Sequence, residues 1–202
     1  MDKFESEVMS CIDSAIEAIG TPREQVVLKE SAKLLNKLKL KYYYSSDDNL
    51  IKIKLLRNLA IILERLNSND EAITHILDLY DLVTNNEEIK NDFPVEYCRA
   101  MNAYTDTFKD KLERELVIKI ETENMNIYEK LGLKPDFITA KVNIYFLMED
   151  YENVVNLLLE IHTEEKKDFV DLINEIETEL YKVSSDHYKK YLNIIQANSL
   201  VS

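Results

Sequence analysis

The sequence predicts an all-α protein built from antiparallel helical hairpins, with about nine or ten helices. Three observations predict this fold class. The chain of 202 residues has only two glycines and three prolines, whereas a sheet-rich protein needs more glycine for tight turns with positive φ. Apolar residues recur at helical spacing, and no segment alternates with the period of two that is typical of a half-buried strand. Helix-capping residues stand between the periodic segments.

The first four helices are separated by clear capping signals. Gly20 is typical of the residue that follows a helix C-terminus. Thr21–Glu24 (TPRE) then has the pattern of a capping box with proline at the first helical position, and Ser68–Glu71 (SNDE) is a second capping box. The predicted helices cover about 4–19, 21–44, 48–66 and 69–84.

Two prolines and a second glycine mark the later helices. Pro94 and Pro135 each begin a helix, and Gly132 ends one, with Leu133 supplying the hydrophobic contact that follows such an end. A break is expected near Thr105–Asp110. The predicted helices cover about 94–105, 110–132, 135–148, 150–162 and 164–183, and the last one starts near 186.

A repeat of 41 residues links three of these helices. Pro94–Tyr104 (PVEYCRAMNAY) aligns with Pro135–Tyr145 (PDFITAKVNIY), so that proline, asparagine and tyrosine each recur at matching positions. A further step back reaches the third helix, where Leu56, Ala60 and Leu63 occupy the same apolar positions. A helical hairpin cannot bury its apolar face alone, so stacked copies would form one continuous core.

The segments 55–79 (LLRNLAIILERLNSNDEAITHILDL) and 137–161 (FITAKVNIYFLMEDYENVVNLLLEI) resemble tetratricopeptide repeats. The resemblance implies a tetratricopeptide-like α-solenoid in one continuous domain. Its parts would be an N-terminal hairpin (1–46), three repeats (47–162) and C-terminal capping helices (163–202).

The resemblance also implies a concave surface for a partner peptide or helix. Arg57, Asn102 and Asn143 fall on or near the concave positions of successive first helices. Ile61 and Asp136 stand where repeats that clamp a peptide carboxylate have asparagine and lysine. The alternative is that Asn102 and Asn143 are buried and form hydrogen bonds between repeats.

The charge of the chain is unevenly distributed. The net charge is −13, yet residues 23–57 hold nine basic against four acidic residues, which leaves about −18 on the remainder. This basic segment predicts an acidic protein partner, whereas the overall charge argues against nucleic acid and anionic membranes. Cys11 and Cys98 follow no secretory signal, so we expect two free thiols in a cytoplasmic or nuclear protein.

Lys33–Asp48 (KLLNKLKLKYYYSSDD) is the most distinctive stretch. At 100° per residue the second helix has one apolar face and a solvated lysine face. Leu40, Tyr43 and Tyr44 project toward the lysine face, where they could contact a partner, be covered by another helix or stack on nucleic-acid bases. The predicted apolar face comprises Val27, Ser31, Leu34, Leu35, Leu38 and Tyr42, and the opposite face Lys29, Lys33, Lys37 and Lys41.

No catalytic or cofactor pattern stands out in the sequence. Phosphate-binding loops and nucleophile elbows need glycine-rich stretches, and the three histidines have no zinc-ligand spacing. Ser184–His187 (SSDH) is interpreted as a helix cap.

The sequence therefore predicts a non-catalytic adaptor or scaffold subunit that needs no cofactor or metal. Its alternatives are a nucleic-acid-associated subunit that uses residues 29–57, or a sensor of a small molecule or peptide. The predicted partner-binding residues are Lys37, Lys41, Tyr43, Tyr44, Arg57, Asn102 and Asn143.

Overall fold

The computed structural model describes residues 3–164 and 169–199, which form eleven α-helices and no strand. The all-α class is confirmed. The helices are α1 (Lys3–Ala18), α2 (Glu24–Tyr42), α3 (Asn49–Arg65), α4 (Asn69–Thr84), α5 (Glu87–Asp92), α6 (Pro94–Phe108), α7 (Arg114–Leu131), α8 (Lys134–Leu147), α9 (Tyr151–Glu164), α10 (Val170–Val183) and α11 (Ser185–Ser199).

The chain divides into two compact units, Met1–Lys111 and Leu112–Ser202. The first contains α1 to α6 and the second α7 to α11. The domain boundaries drawn from the sequence at residues 46 and 162 stay predictions. Residues 165–168 and 200–202, which belong to the predicted capping segment, lie outside the described residues.

In the first unit, α1 packs on α2 and α3 packs on α4, while α2 and α6 both contact α3. Fully buried leucine and isoleucine side chains fill the space between these helices. Removing each such side chain from water stabilises the fold by about 1.5–3 kcal/mol. Cys11 and Cys98 are buried and neither is part of a disulfide, as the sequence predicts. The core residues with no exposed surface include Leu28, Leu35, Ile53, Leu55, Leu56, Leu59, Leu79 and Ile89.

The second unit joins the α7–α8 pair to α9, α10 and α11. Its core includes an aromatic hydroxyl, since Tyr191 is almost fully buried. The Tyr191 hydroxyl donates to Glu177 Oε1 at 2.7 Å and lies 3.2 Å from His162 Nδ1. Burial and the adjacent carboxylate raise the pKa of Tyr191 above its ordinary value. The aliphatic part of this core includes Ile138, Val142, Val154, Leu158, Ile173, Ile176 and Leu180.

The predicted end of α7 at Gly132 is confirmed. Gly132 is left-handed, with φ +69°. Its N–H donates to the Glu129 carbonyl at 3.1 Å, and the Leu133 N–H donates to the Tyr128 carbonyl at 2.9 Å. These two bonds satisfy carbonyl groups of the last helical turn, which is the Schellman arrangement.

Replacing Gly132 by alanine is expected to lower the free energy of unfolding by about 1 kcal/mol, because a Cβ is strained at positive φ. The space around the position is open, so no steric clash adds to this cost. Gly132→Asn is the matched variant and should cost less, since asparagine tolerates the left-handed region. Urea denaturation of both variants measures whether Gly132→Ala has the lower free energy of unfolding. Equal stability of wild type and Gly132→Ala would contradict this prediction.

Two predicted local features differ in the structure. The short helix α5 was not predicted, because it has a single buried apolar residue, Ile89, and therefore no periodic signal. Ser68 occupies the N-cap position of α4 as predicted, but its side chain makes no capping hydrogen bond. The hydrogen bonds of the capping box before α2 each lie one residue earlier in the chain than predicted. Glu24 Oε2 accepts from the Gly20 N–H at 2.8 Å, and Thr21 Oγ1 accepts from the Arg23 N–H at 3.3 Å.

Candidate functional site

The lysine face of α2 is exposed as predicted, but the buried face is rotated relative to the prediction. Leu34 was assigned to the apolar face, yet 43% of its surface is exposed. Leu28 and Ala32 are buried in its place, together with Leu35 and Leu38. This rotation directs α2 against both α1 and α3. The exposed lysines of the helix are Lys29, Lys33, Lys37 and Lys41.

The three consecutive tyrosines have three different environments. Tyr42 is half-buried, with its ring centroid 5.4 Å from that of Phe4. Tyr43 is also half-buried, and Lys52 Nζ lies 5.5 Å from its ring centroid. Burial raises the pKa of Tyr43 to about 12. Tyr44 is 84% exposed, so of the two predicted contact tyrosines it is the one that solvent and a partner can reach freely.

A polar cluster that the sequence analysis did not predict joins α2 to α4. Lys39 turns inward, forms an ion pair with Asp78 and lies with its Nζ 3.1 Å from His75 Nδ1. His75 is buried. Burial and the neighbouring Lys39 charge lower the pKa of His75 from 6.5 to about 4, which outweighs the opposite effect of Asp78. The imidazole is therefore neutral at pH 7 and can accept a hydrogen bond from the ammonium group.

An open groove of about 420 Å³ lies among α3, α4 and α6, and two of the predicted site residues, Arg57 and Asn102, line it. Both α3 and α6 contribute positions at the spacing i, i+3, i+4 and i+7, which is one continuous face of each helix. Its charged and polar lining residues are Arg57, Glu64, Arg99, Asn102, Asp106 and Thr107, and its apolar ones are Ala60, Ile61, Ile76, Leu79 and Ala103.

Two arginines of the groove share one carboxylate. Glu96 Oε2 accepts from Arg57 Nη1 at 2.6 Å, and Glu96 Oε1 accepts from Arg99 Nη1 at 2.8 Å. The side chains of Arg57 and Glu96 are 22% and 14% exposed, whereas Arg99 is 52% exposed. Each guanidinium has five N–H donors, so both keep donors beyond the one that Glu96 accepts.

The acidic groups of the same groove are Glu64 and Asp106, each seven residues after an arginine of its own helix. Asp106 is exposed at the rim of the groove, and the desolvation that remains there raises its pKa although the nearby Lys109 charge acts in the opposite direction. The groove thus combines an apolar floor with charged groups of both signs.

The third predicted site residue of the repeats, Asn143, lies in the second compact unit. It is exposed, and its Nδ2 donates to Glu121 Oε1 on α7 at 3.3 Å. It also lines a cavity of about 170 Å³ with residues of α8 and α10, among them Phe146 and Leu172. The interpretation of Asn143 as a buried residue is therefore wrong. That Arg57, Asn102 and Asn143 line one concave surface stays a prediction.

The predicted helix cap at Ser184 is present. Ser184 lies between α10 and α11, and its carbonyl accepts from the Tyr188 N–H at 3.1 Å. Its hydroxyl is also 2.7 Å from His187 Nδ1, a contact that the sequence analysis did not predict. The Tyr151 ring lies against this imidazole, with 5.6 Å between centroids. The contact fixes the first turn of α11.

Within residues 3–164 and 169–199, no group of three or more histidine, cysteine, aspartate or glutamate side chains is placed to hold a metal ion. None of the helices there combines the length and apolar character needed to cross a membrane.

Comparison of the chain with protein-family models, with curated proteins and with solved structures gives no match. The resemblance to tetratricopeptide repeats therefore stays a prediction.

Proposed function

We propose that this protein is a non-catalytic interaction adaptor that binds an extended peptide segment of a partner in the groove among α3, α4 and α6. The observation that carries the proposal is the groove itself, in which an open apolar floor adjoins two arginines that share a single carboxylate. A tetratricopeptide-like stacking of hairpins and a cytoplasmic or nuclear location, as the sequence predicts, belong to the same proposal.

The length of the groove suits a short extended peptide. The lining positions of α3 and α6 each span seven residues of α-helix, which advance about 10 Å. About three residues of an extended chain cover this length, since each advances about 3.3 Å.

The charges at the arginine end of the groove favour an acidic side chain in the ligand. Arg57 and Arg99 together carry two positive charges there, and Glu96 supplies one negative charge. Glu64 and Asp106, in contrast, lie about two turns further along α3 and α6. A carboxylate of the peptide at the arginine end would accept charge-assisted hydrogen bonds. An apolar side chain beside it would cover Ile61, which is 41% exposed. The expected ligand is therefore a short segment with an acidic residue next to an apolar one.

Selection from a peptide display library on the full chain, followed by fluorescence anisotropy of a selected peptide, tests this proposal. Selected peptides should share an acidic and an apolar residue. Arg99→Gln should weaken binding by about tenfold or more, since a charge-assisted hydrogen bond is worth about 1.5–3 kcal/mol. Ile61→Asn should weaken it through loss of the apolar contact.

Arg23→Gln is the matched control, because Arg23 is exposed and lies outside the groove. It should leave the affinity unchanged. Equal binding to wild type, Arg99→Gln and Ile61→Asn would contradict the proposed site. Failure of the library to yield any peptide above background would contradict the proposed function.

A further inference from the structure

The exposed face of α2 forms a second surface that the groove does not explain. At 100° per residue, Val26, Lys33, Lys37 and Leu40 fall within about 60° of one another on α2, and Tyr44 follows two residues after the end of the helix. All five residues are exposed. From Val26 to Leu40 the line is about 21 Å long. We call these five residues together with Lys29, Leu34 and Lys41 the α2 face.

The α2 face is basic within an acidic protein. It carries four lysines, and the carboxylates that line the adjacent groove between α1 and α2 are Glu30 on the same helix and Glu7 on α1. None of these four lysines forms an ion pair with a described carboxylate. The local excess of about two positive charges contrasts with the net −13 of the whole chain. Such a patch attracts an acidic surface and repels other basic surfaces.

The α2 face is also unusually apolar for a solvated helix surface. Leu40 is 82% exposed, Tyr44 84%, Val26 57% and Leu34 43%. Single exposed apolar residues are normal, but several on one face that also carries the excess charge indicate an interaction site. Leu34 and Lys37 additionally line a shallow groove of about 620 Å³ between α1 and α2. Apolar side chains of a partner can enter this groove.

We infer that the α2 face docks an acidic amphipathic helix of a partner protein. Its apolar and cationic positions on α2 recur with the period of a helix over about 21 Å. A helix laid along it would place leucine-type residues against Leu34, Leu40 and Tyr44. Glutamates or aspartates beside this apolar stripe would lie next to the lysines. The inference goes beyond the proposed function, since it concerns a different surface and a different ligand.

Two other classes of ligand fit the face less well. Single-stranded nucleic acid is bound by aromatic rings that stack on successive bases. The α2 face offers only one such exposed ring, Tyr44, whereas its other apolar groups are aliphatic. An anionic membrane would be attracted by the same lysines but repelled by the acidic remainder of the chain. Both classes serve as outcomes of the test below.

The test uses a synthetic amphipathic peptide with leucines at helical spacing and flanking glutamates, and a second peptide with lysine in place of each glutamate. Isothermal titration calorimetry of the full chain at low and high salt should show binding of the acidic peptide only, weakening as salt rises. The variant Lys33→Glu/Lys37→Glu/Lys41→Glu should lose about tenfold or more in affinity. A matched triple variant at other exposed lysines should retain wild-type affinity: Lys111→Glu/Lys119→Glu/Lys189→Glu.

A second variant, Leu40→Ser/Tyr44→Ser, tests the apolar part of the contact and should also weaken binding. Both of its residues are exposed, so its thermal unfolding should match wild type, and lost binding would not reflect lost folding.

The inference is overturned if the acidic peptide binds all variants equally or binds none. It is also overturned if phosphatidylserine vesicles or a single-stranded DNA oligonucleotide bind more tightly than the peptide. Self-association that the lysine variant abolishes would assign the face to a second copy of this chain and overturn it too.

The proposed peptide groove and the proposed α2 face can be tested independently of each other. The α2 variants should leave the groove peptide bound as in wild type, because none of their residues lines the groove. Arg99→Gln should in turn leave binding of the acidic helix unchanged.

Discussion

Glu96→Gln is expected to lower the free energy of unfolding by about 2–3 kcal/mol. The substitution leaves Arg57 and Arg99 close together without the carboxylate that both of them contact. Arg57 is the critical group, since burial and the Arg99 charge lower its pKa and only Glu96 acts in the opposite direction. Removing one partner of a buried ion pair typically costs about 3–5 kcal/mol. The smaller value allows for the remaining exposure of Arg57.

Hydrogen–deuterium exchange of the α3 and α6 backbone in urea measures this cost in the unit that contains the substitution. Arg99→Gln is the matched control and should cost less than about 1 kcal/mol, because Arg99 is half exposed. The double variant Arg57→Met/Glu96→Met should recover much of the loss, since replacing both members of a buried pair by apolar residues is often neutral. If Glu96→Gln is as stable as Arg99→Gln, the ion pair does not hold α3 to α6.

The second large effect is a pH dependence that originates at His75. Its pKa is about 4 in the folded protein and 6.5 in an unstructured chain. The unfolded state therefore binds a proton more readily than the folded state between these values. Stability due to the neutral imidazole is fully present above pH 6.5 and is lost as the pH falls toward 4. A difference of this size corresponds to roughly 3 kcal/mol.

NMR titration of the His75 ring protons checks the pKa directly. His75→Gln is the control for stability, since glutamine can accept a hydrogen bond from Lys39 but does not titrate. Between pH 6.5 and 4 the free energy of unfolding of the wild type should fall by about 3 kcal/mol more than that of this variant. Carboxylates that titrate in the same range affect both proteins equally and therefore cancel in the comparison. An imidazole that titrates near 6.5 would show that His75 is solvated and would contradict the account.

The helix ends could be predicted largely from local chemistry. Gly132, Pro94 and Pro135 act within one or two turns of their own positions, so their capping roles can be recognised from the sequence alone. The short α5 could not be recognised in this way, because a six-residue helix with one buried side chain has no periodicity. The orientation of α2 depends on α1 and α3, which cover Ala32 and leave the larger Leu34 exposed.

The candidate site was only partly predictable. Arg57 and Asn102 were identified from their position in a repeat, and both line the groove. Glu96 was missed because its contact with Arg57 arises only when α6 packs on α3. Arg99 and Asp106 were missed because their place in the groove depends on the same packing. Lys39 was missed for the same reason, since its partners in α4 follow it by more than 35 residues. Nothing in a run of alternating lysines marks the one that turns inward.

NMR chemical-shift mapping of the full chain during titration with a library-selected peptide would locate the peptide-binding surface. If the protein is an adaptor that uses the groove, the largest shifts should fall on its floor and rim, at Ile61, Arg99, Asn102 and Ala103. Leu40 and Tyr44 should not move, because they lie on the α2 face. Shifts confined to other surfaces, or no shifts at saturating peptide, would contradict the account.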